Sequence, residues 1–257
     1  MAIIIKTPAE IEILREGGKR LADVLYKVKD IIKPGVSTKD LDKYAEKLIR
    51  DMGDVPAFLN YRPEGASSPF PASLCVSVNE EIVHGIPKAD RILKEGDIVS
   101  IDLGLNHKGL FTDMAITVPV GEIPPSSKKL LEVTEKALQI GIDAARVGNR
   151  TGDIGFAIES FVRPHKYGIV EVLSGHGVGK AIHEDPYIPN FGKKGTGAKL
   201  VPGMVIALEP MLNAGTKNVA IEADDWTFRT ADRKRSAHFE NTILITDGDP
   251  EILTLHR

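Results

Sequence analysis

Residues 97–105 place the apolar Val99, Ile101, Leu103 and Leu105 in alternation with Ser100, Asp102 and Gly104. That is the pattern of a strand with one polar face. Asn106-His107-Lys108-Gly109 suits a four-residue hairpin turn, and residues 110–118 return as a second strand. Pairing Leu105 with Leu110 sets Asp102 directly opposite Asp113. Two carboxylates about 5 Å apart repel by roughly 3 kcal/mol at an effective dielectric near 20. A shared proton or a bound cation relieves this. The alternative is a solvated hairpin edge whose acids only keep it soluble.

Three more groups can join such a pair. The run Gly175-His176-Gly177-Val178-Gly179-Lys180-Ala181-Ile182-His183-Glu184 sets two histidines among glycines, where backbone and imidazole can both approach a ligand. A polar loop with incidental histidines is the other reading. Glu209 ends the apolar run Val205-Ile206-Ala207-Leu208, and Glu240 lies between Phe239 and an apolar strand. A carboxylate there is costly unless paired or coordinated, or unless it reaches solvent from a strand end. Two Asp, two Glu and one His form an oxygen-rich set able to hold two divalent cations such as Mn, Fe, Co or Zn. Such sites generate hydroxide near neutral pH and clamp a tetrahedral intermediate. His84, in Val83-His84-Gly85-Ile86-Pro87, can face the same place from a tight turn. His238 lies two residues before Glu240, on the same face of a strand, and is assigned a structural role, as are His107, His165 and His256.

The elements that must position these groups follow from periodicity. Residues 8–32 carry Ile11, Leu14, Leu21, Val24, Leu25 and Val28 at helical spacing, stopped by Pro34-Gly35. A second helix opens at Thr38-Lys39-Asp40. A loop rich in Pro, Gly and Ser runs over 56–71, strands cover 73–78, 97–105 and 110–118, and Pro124-Pro125-Ser126 starts a helix reaching about Val147. The order then restarts. Residues 147–154 resemble 34–41 and precede a helix over 156–162. The strand bearing Glu209 follows Pro202-Gly203 as the strand bearing Asp102 follows Glu95-Gly96, and residues 236–248 around Glu240 match 109–121 around Asp113. This predicts two helix-helix-hairpin halves related by a pseudo-twofold, with the carboxylates in a shared centre. No linker divides them, so residues 1–257 are read as one domain.

Composition bounds the function. The 257 residues are 42% hydrophobic and 27% charged, with a formal net charge of −3. Neither nucleic acid nor an anionic membrane is expected as the main partner. Cys75 is the single cysteine, which excludes an internal disulfide and a cysteine-based zinc site. The apolar run at 1–5 is too short for a signal peptide, and no stretch approaches the roughly 20 residues of a membrane helix. A cytoplasmic protein is expected.

In this order, the residues resemble the methionine aminopeptidases of the pita-bread (creatinase/aminopeptidase) fold, over nearly the whole chain. The motifs are Ser77-Val78-Asn79-Glu80 through Pro87, Asp97 through Asp102, Gly175 through Pro186, and Pro202-Gly203-Met204 through Met211. The resemblance implies an α+β fold, its antiparallel sheet covered by helices. It implies Asp102, Asp113, His176, Glu209 and Glu240 as ligands of two divalent metal ions (Co, Mn, Fe or Zn), with Asp113 and Glu240 bridging. It also implies metal-bound hydroxide attacking the first peptide bond, Glu209 accepting the proton, His183 facing the oxyanion and His84 facing the first peptide nitrogen. Tyr61, Phe70, Cys75, Ile182 and Trp226 match an apolar, thioether-binding pocket. The expected reaction is removal of the initiator methionine when the second residue is small.

The short span between Glu209 and Glu240 leaves no room for the helical insertion of type II members, and no N-terminal zinc-binding extension is seen, so a type I enzyme is expected. Residues 62–69 read as an insertion between Tyr61 and Phe70, Ile182 stands where bacterial members often have an aromatic residue, and Lys180 replaces a common arginine. Partners implied are N-terminal methionyl peptides and nascent chains, with a transient ribosome contact and a monomeric state. The alternatives are a proline-specific peptidase of the same fold, whose relatives carry a further N-terminal domain, and a non-catalytic binding protein on this scaffold.

Overall fold

The computed structural model describes residues 3–63 and 65–256. Met1, Ala2 and Glu64, which belong to the N-terminal apolar run and to the insertion, lie outside the described residues. Helix α1 (Pro8–Asp30) begins with a capping box in which Glu10 N donates to Thr7 Oγ1 and Thr7 N to Glu10 Oε2. Helix α2 (Thr38–Asp51) is capped by Ser37. Helices α3 (Pro125–Ala144) and α4 (Thr151–Val162) follow in the second half. The former stops short of Val147, and the latter starts five residues before the expected 156.

The central strands are β1 (Cys75–Val78), β2 (Glu81–Val83), β3 (Ile98–His107), β4 (Leu110–Pro119), β5 (Gly175–Gly177), β6 (Glu184–Ile188), β7 (Val205–Leu208), β8 (Met211–Asn213), β9 (Ser236–His238) and β10 (Glu240–Leu244). Seven of them form one antiparallel sheet in the order β1-β3-β4-β10-β7-β5-β6, and β2 pairs instead with Phe228–Thr230. Short pieces at Val55–Pro56 and Glu251–Ile252 extend it, while β8 and β9 pair with each other. About the β4-β10 seam the order mirrors itself, β3 answering to β7 and β1 to β5. Each half contributes two helices and then its strands, as the restarted pattern predicts.

The helices bury one face on the sheet. Leu21, Val24, Leu25 and Val28 of α1 and Leu130, Val133, Ala137 and Leu138 of α3 share one core with Val99, Ile101, Leu103 and Ile243. Gly18 brings α1 close: a Cβ there would lie 2.4 Å from Leu253 O. The other sheet face carries the polar positions, so the helices leave it open for the site.

Two expectations change. The hairpin turn holds two residues, not four: His107 pairs with Leu110, and Lys108 and Gly109 have φ of 50° and 86°. Two positive φ values make a type I′ turn, whose twist matches that of the strands. Asp102 therefore faces Ala115 and Asp113 faces Gly104. The aspartates are diagonal neighbours on one face, not directly opposite. The strand expected over 236–248 is broken at Phe239 and ends at Leu244. At the base of the expected insertion Asn60 N donates to Phe70 O (2.9 Å) and Phe70 N to Tyr61 O (2.8 Å), which keeps Tyr61 and Phe70 side by side. No helix among the described residues is long and apolar enough to cross a membrane.

Candidate active site

The register gathers the acids in two adjacent ranks across the sheet. In the first, Cys75 faces Asp102, Asp102 faces Ala115, and Ala115 faces Glu240. Leu208 pairs with Asn241, so Glu209, one residue beyond β7, continues the rank next to Glu240. In the second, Gly104 faces Asp113, while Thr242 faces Ala207 and Ala207 faces His176. Thr242 joins Asp113 to this rank through its hydroxyl, which accepts from Asp113 N (2.9 Å) and donates to Asp113 O (2.8 Å). Ranks two residues apart lie on the same face. Small residues, Ala115 between Asp102 and Glu240 and Ala207 between Thr242 and His176, leave room above the sheet.

Oxygen atoms of Asp102, Asp113 and Glu240 lie within 4.8 Å of one another, as do ligand atoms of His176, Glu209 and Glu240. His176 Nε2 is 3.6 Å from Glu209 Oε1, 3.9 Å from Asp113 Oδ2 and 4.0 Å from Glu240 Oε1. Its Nδ1 lies 2.9 Å from Gly177 O. A carbonyl only accepts, so Nδ1 carries the proton and Nε2 turns its lone pair to the carboxylates. Burial holds the His176 pKa down at about 4, leaving the ring neutral.

The acids are pushed the other way. Burial, then the charge of Asp113, lifts Asp102 well above the usual carboxylate range. Burial lifts Asp113 to about 7, and burial followed by the Asp113 charge raises Glu209 and Glu240. Asp102 Oδ1 and Glu240 Oε1 are buried without a hydrogen-bond partner. Such oxygens are satisfied by protons or by cations. The donor set, carboxylates plus one neutral imidazole, fits hard or borderline divalent ions.

A cleft of 430 Å³ opens over this cluster. Its apolar end is lined by Phe58, Tyr61, Phe70, Cys75 and Trp226, with the rings of Phe70 and Trp226 edge to face at 5.3 Å. His183 opens onto the cleft with Nδ1 2.8 Å from Tyr61 Oη, and its ring lies 4.4 Å from that of His176. Desolvation in the cleft, then His176, lowers its pKa to about 3. His84 follows β2 with φ 58°, packs edge-on to Phe228 and Trp226, and is held neutral by burial at a pKa of about 4.

The expected site residues thus converge, and the structure revises the reading of Ile182 and of His238. Ile182 is buried in the apolar cluster behind the cleft and does not line it. Its Cδ1 fills the space over Gly104, 3.0 Å from where a Cβ would stand. Phe58 takes the wall position and carries no sequence signal beyond its apolarity. His238, structural by its sequence reading, has Nε2 3.5 Å from Glu209 Oε2 and 3.9 Å from Glu240 Oε2. The signal for it was present in its two-residue spacing from Glu240.

Comparison with known proteins accords with this geometry. The profile of metallopeptidase family M24 matches residues 12–247. Methionine aminopeptidase 1 of Bacillus subtilis is 48% identical over 252 residues, covering 98% of this chain and 99% of that protein. A crystal structure of methionine aminopeptidase from Rickettsia prowazekii superposes with a TM-score of 0.94 at 39% identity, covering 99% of this chain and 100% of the other. One from Thermotoga maritima gives 0.93 at 42% identity, covering 98% and 99%.

Proposed function

The chain belongs to metallopeptidase family M24 as a methionine aminopeptidase of the pita-bread fold, and on that premise we propose how its residues divide the work. The reaction is hydrolysis of the peptide bond behind an N-terminal methionine. The observation that carries the assignment of roles is the convergence of Asp102, Asp113, His176, Glu209 and Glu240 from two ranks of one sheet. We assign these five as the residues that would hold two divalent ions, with Asp113 and Glu240 central among them in the sheet. Ions held there supply Lewis-acid polarisation of the scissile carbonyl and a water acidic enough to ionise near neutral pH.

The remaining steps fall to the protein. Glu209, its carboxyl pKa raised by burial, is suited to accept a proton during attack and return it to the departing amine. His183 is neutral, and its Nδ1 is engaged by Tyr61, so Nε2 is the nitrogen free to hydrogen-bond the carbonyl oxygen. His84, also neutral and lining the same cleft, is assigned to the first peptide nitrogen. Tyr61, Phe70, Cys75 and Trp226, with Phe58, receive the methionine side chain. Its polarizable thioether suits aromatic edges and a thiol. Ile182 acts behind them by filling the space over Gly104.

The proposal extends to a preference for a small second residue, to residues 1–257 as one catalytic domain, and to a cytoplasmic monomer in transient contact with the ribosome, where its substrates emerge. The test is direct. The protein is stripped with chelator, reloaded separately with Mn, Co or Fe, and assayed for methionine release from Met-Ala-Ser, with Leu-Ala-Ser, Met-Leu-Ser and Ala-Pro alongside. Turnover of Met-Ala-Ser alone, abolished by chelation and by Glu240→Ala, is expected. Cleavage of Ala-Pro in its place would overturn the reading.

A further inference from the structure

One ion pair stands outside the chemistry just described and is better buried than any other Lys or Arg pair in the described residues. Lys6 Nζ lies 2.5 Å from Glu184 Oε2, with side chains only 1% and 6% exposed. Lysine is rarely buried unless it is paired. The carboxylate of Glu184 is the hub of a small loop: Oε1 accepts from Ala181 N at 2.8 Å and from Lys180 N. Both amides belong to the turn that delivers His183, the residue immediately before Glu184. The Lys6 stem lies against bare backbone there, since a Cβ on Gly179 would fall 2.4 Å from Lys6 Cε. At its other end Lys6 N donates to Gly203 O (2.9 Å), in the turn entering β7, which leads to Glu209. Lys6 therefore braces both loops that feed the cleft; it does not itself line the cleft and reaches it only through Glu184, which does.

We propose that Lys6 is a positioning residue: by anchoring Glu184 it holds the 179–184 turn so that His183 faces the carboxylate cluster. This rests on the role given to His183 above. A second pair on the same turn, Lys180 with Glu10, is largely exposed on the lysine side and serves as the internal comparison.

The experiment uses the cobalt-loaded enzyme. Lys6→Met keeps the stem and removes the charge, and Lys6→Arg restores a cation. Lys6→Met is expected to lower kcat on Met-Ala-Ser about tenfold or more with KM changed less than about threefold, the signature of a lost transition-state contact. Lys6→Arg should recover to within about threefold, and Lys180→Met should match wild type to within about twofold. Because Lys6 acts through His183, Lys6→Met combined with His183→Ala should be no slower than His183→Ala alone. Independently of turnover, backbone amides 179–184 should exchange about tenfold faster in Lys6→Met, with α3 unchanged. A wild-type kcat, a fully additive double variant, or an equal loss in Lys180→Met would overturn the proposal. Should Lys6→Met fail to fold, Glu184→Gln is read by the same criteria. If wild type does not cleave Met-Ala-Ser, the functional reading falls, and the amide exchange still decides whether Lys6 holds the turn.

Discussion

Nε2 of His238 lies 3.5 Å from Oε2 of Glu209, whose other oxygen, Oε1, lies 3.6 Å from His176 Nε2, and neither ring nitrogen of His238 has a hydrogen-bond partner. Burial drives its pKa down to about 3, so the ring is neutral. A neutral imidazole beside a ligating carboxylate can donate one hydrogen bond and fix the orientation of that carboxylate. Partners of this kind change metal affinity when removed.

His238→Ala is therefore expected to weaken cobalt binding by about 10- to 100-fold. His238→Gln, whose amide can still donate, should lie closer to wild type. Titration calorimetry on chelated protein reads this directly, and an unchanged affinity in His238→Ala would remove His238 from the site.

Glu240→Gln should move activity and apo-stability in opposite directions. In the metal-free protein it removes one of four mutually repelling buried acids, so the melting temperature at pH 8 should rise by about 2–4 °C, the response to roughly 1 kcal/mol in a chain of this size. Methionine release should fall by at least about 100-fold. A drop in the melting temperature of the chelated variant would mean that the acids are not in conflict.

Metal loading should release protons. Asp113 titrates near 7 in the folded protein, and Asp102, Glu209 and Glu240 are raised as well. A carboxyl raised on folding contributes stability that is complete below its unfolded pKa of about 4 and is lost as pH rises through the folded value. The chelated protein should lose stability from about pH 4 to beyond pH 7, and the gain on adding cobalt should widen over that range. Calorimetry in buffers of different ionisation heat should give at least about one proton released per chain at pH 6.5. Heats that do not depend on the buffer would rule this out.

Gly109→Ala tests the turn that sets the register. Its φ of 86° disfavours any side chain, and nothing stands within 4 Å of the added Cβ, so the cost is backbone conformation alone. A loss of about 1 kcal/mol is expected, seen as a melting temperature about 2–4 °C lower. An unchanged melting temperature would argue against the type I′ turn.

The sequence by itself determined the elements and most of the chemistry. Alternation over 97–105 marks the face bearing Asp102, helical spacing over 8–32 marks α1, and the costly setting of Glu209 and Glu240 singles out those acids without any knowledge of what lies across from them. Each of these is a local property, legible because side-chain direction repeats every two or about 3.6 residues. What only the tertiary structure decided is which positions meet. A two-residue turn at Lys108-Gly109 in place of a four-residue one moved Asp113 from Asp102 to Gly104. The placing of Glu209 beside Glu240, the approach of His238 to Glu209 and the burial of Lys6 against Glu184 join residues far apart along the chain or beyond a strand end. Such contacts depend on hydrogen-bond register and on which surfaces the core removes from water, and neither is written in the spacing of a single segment.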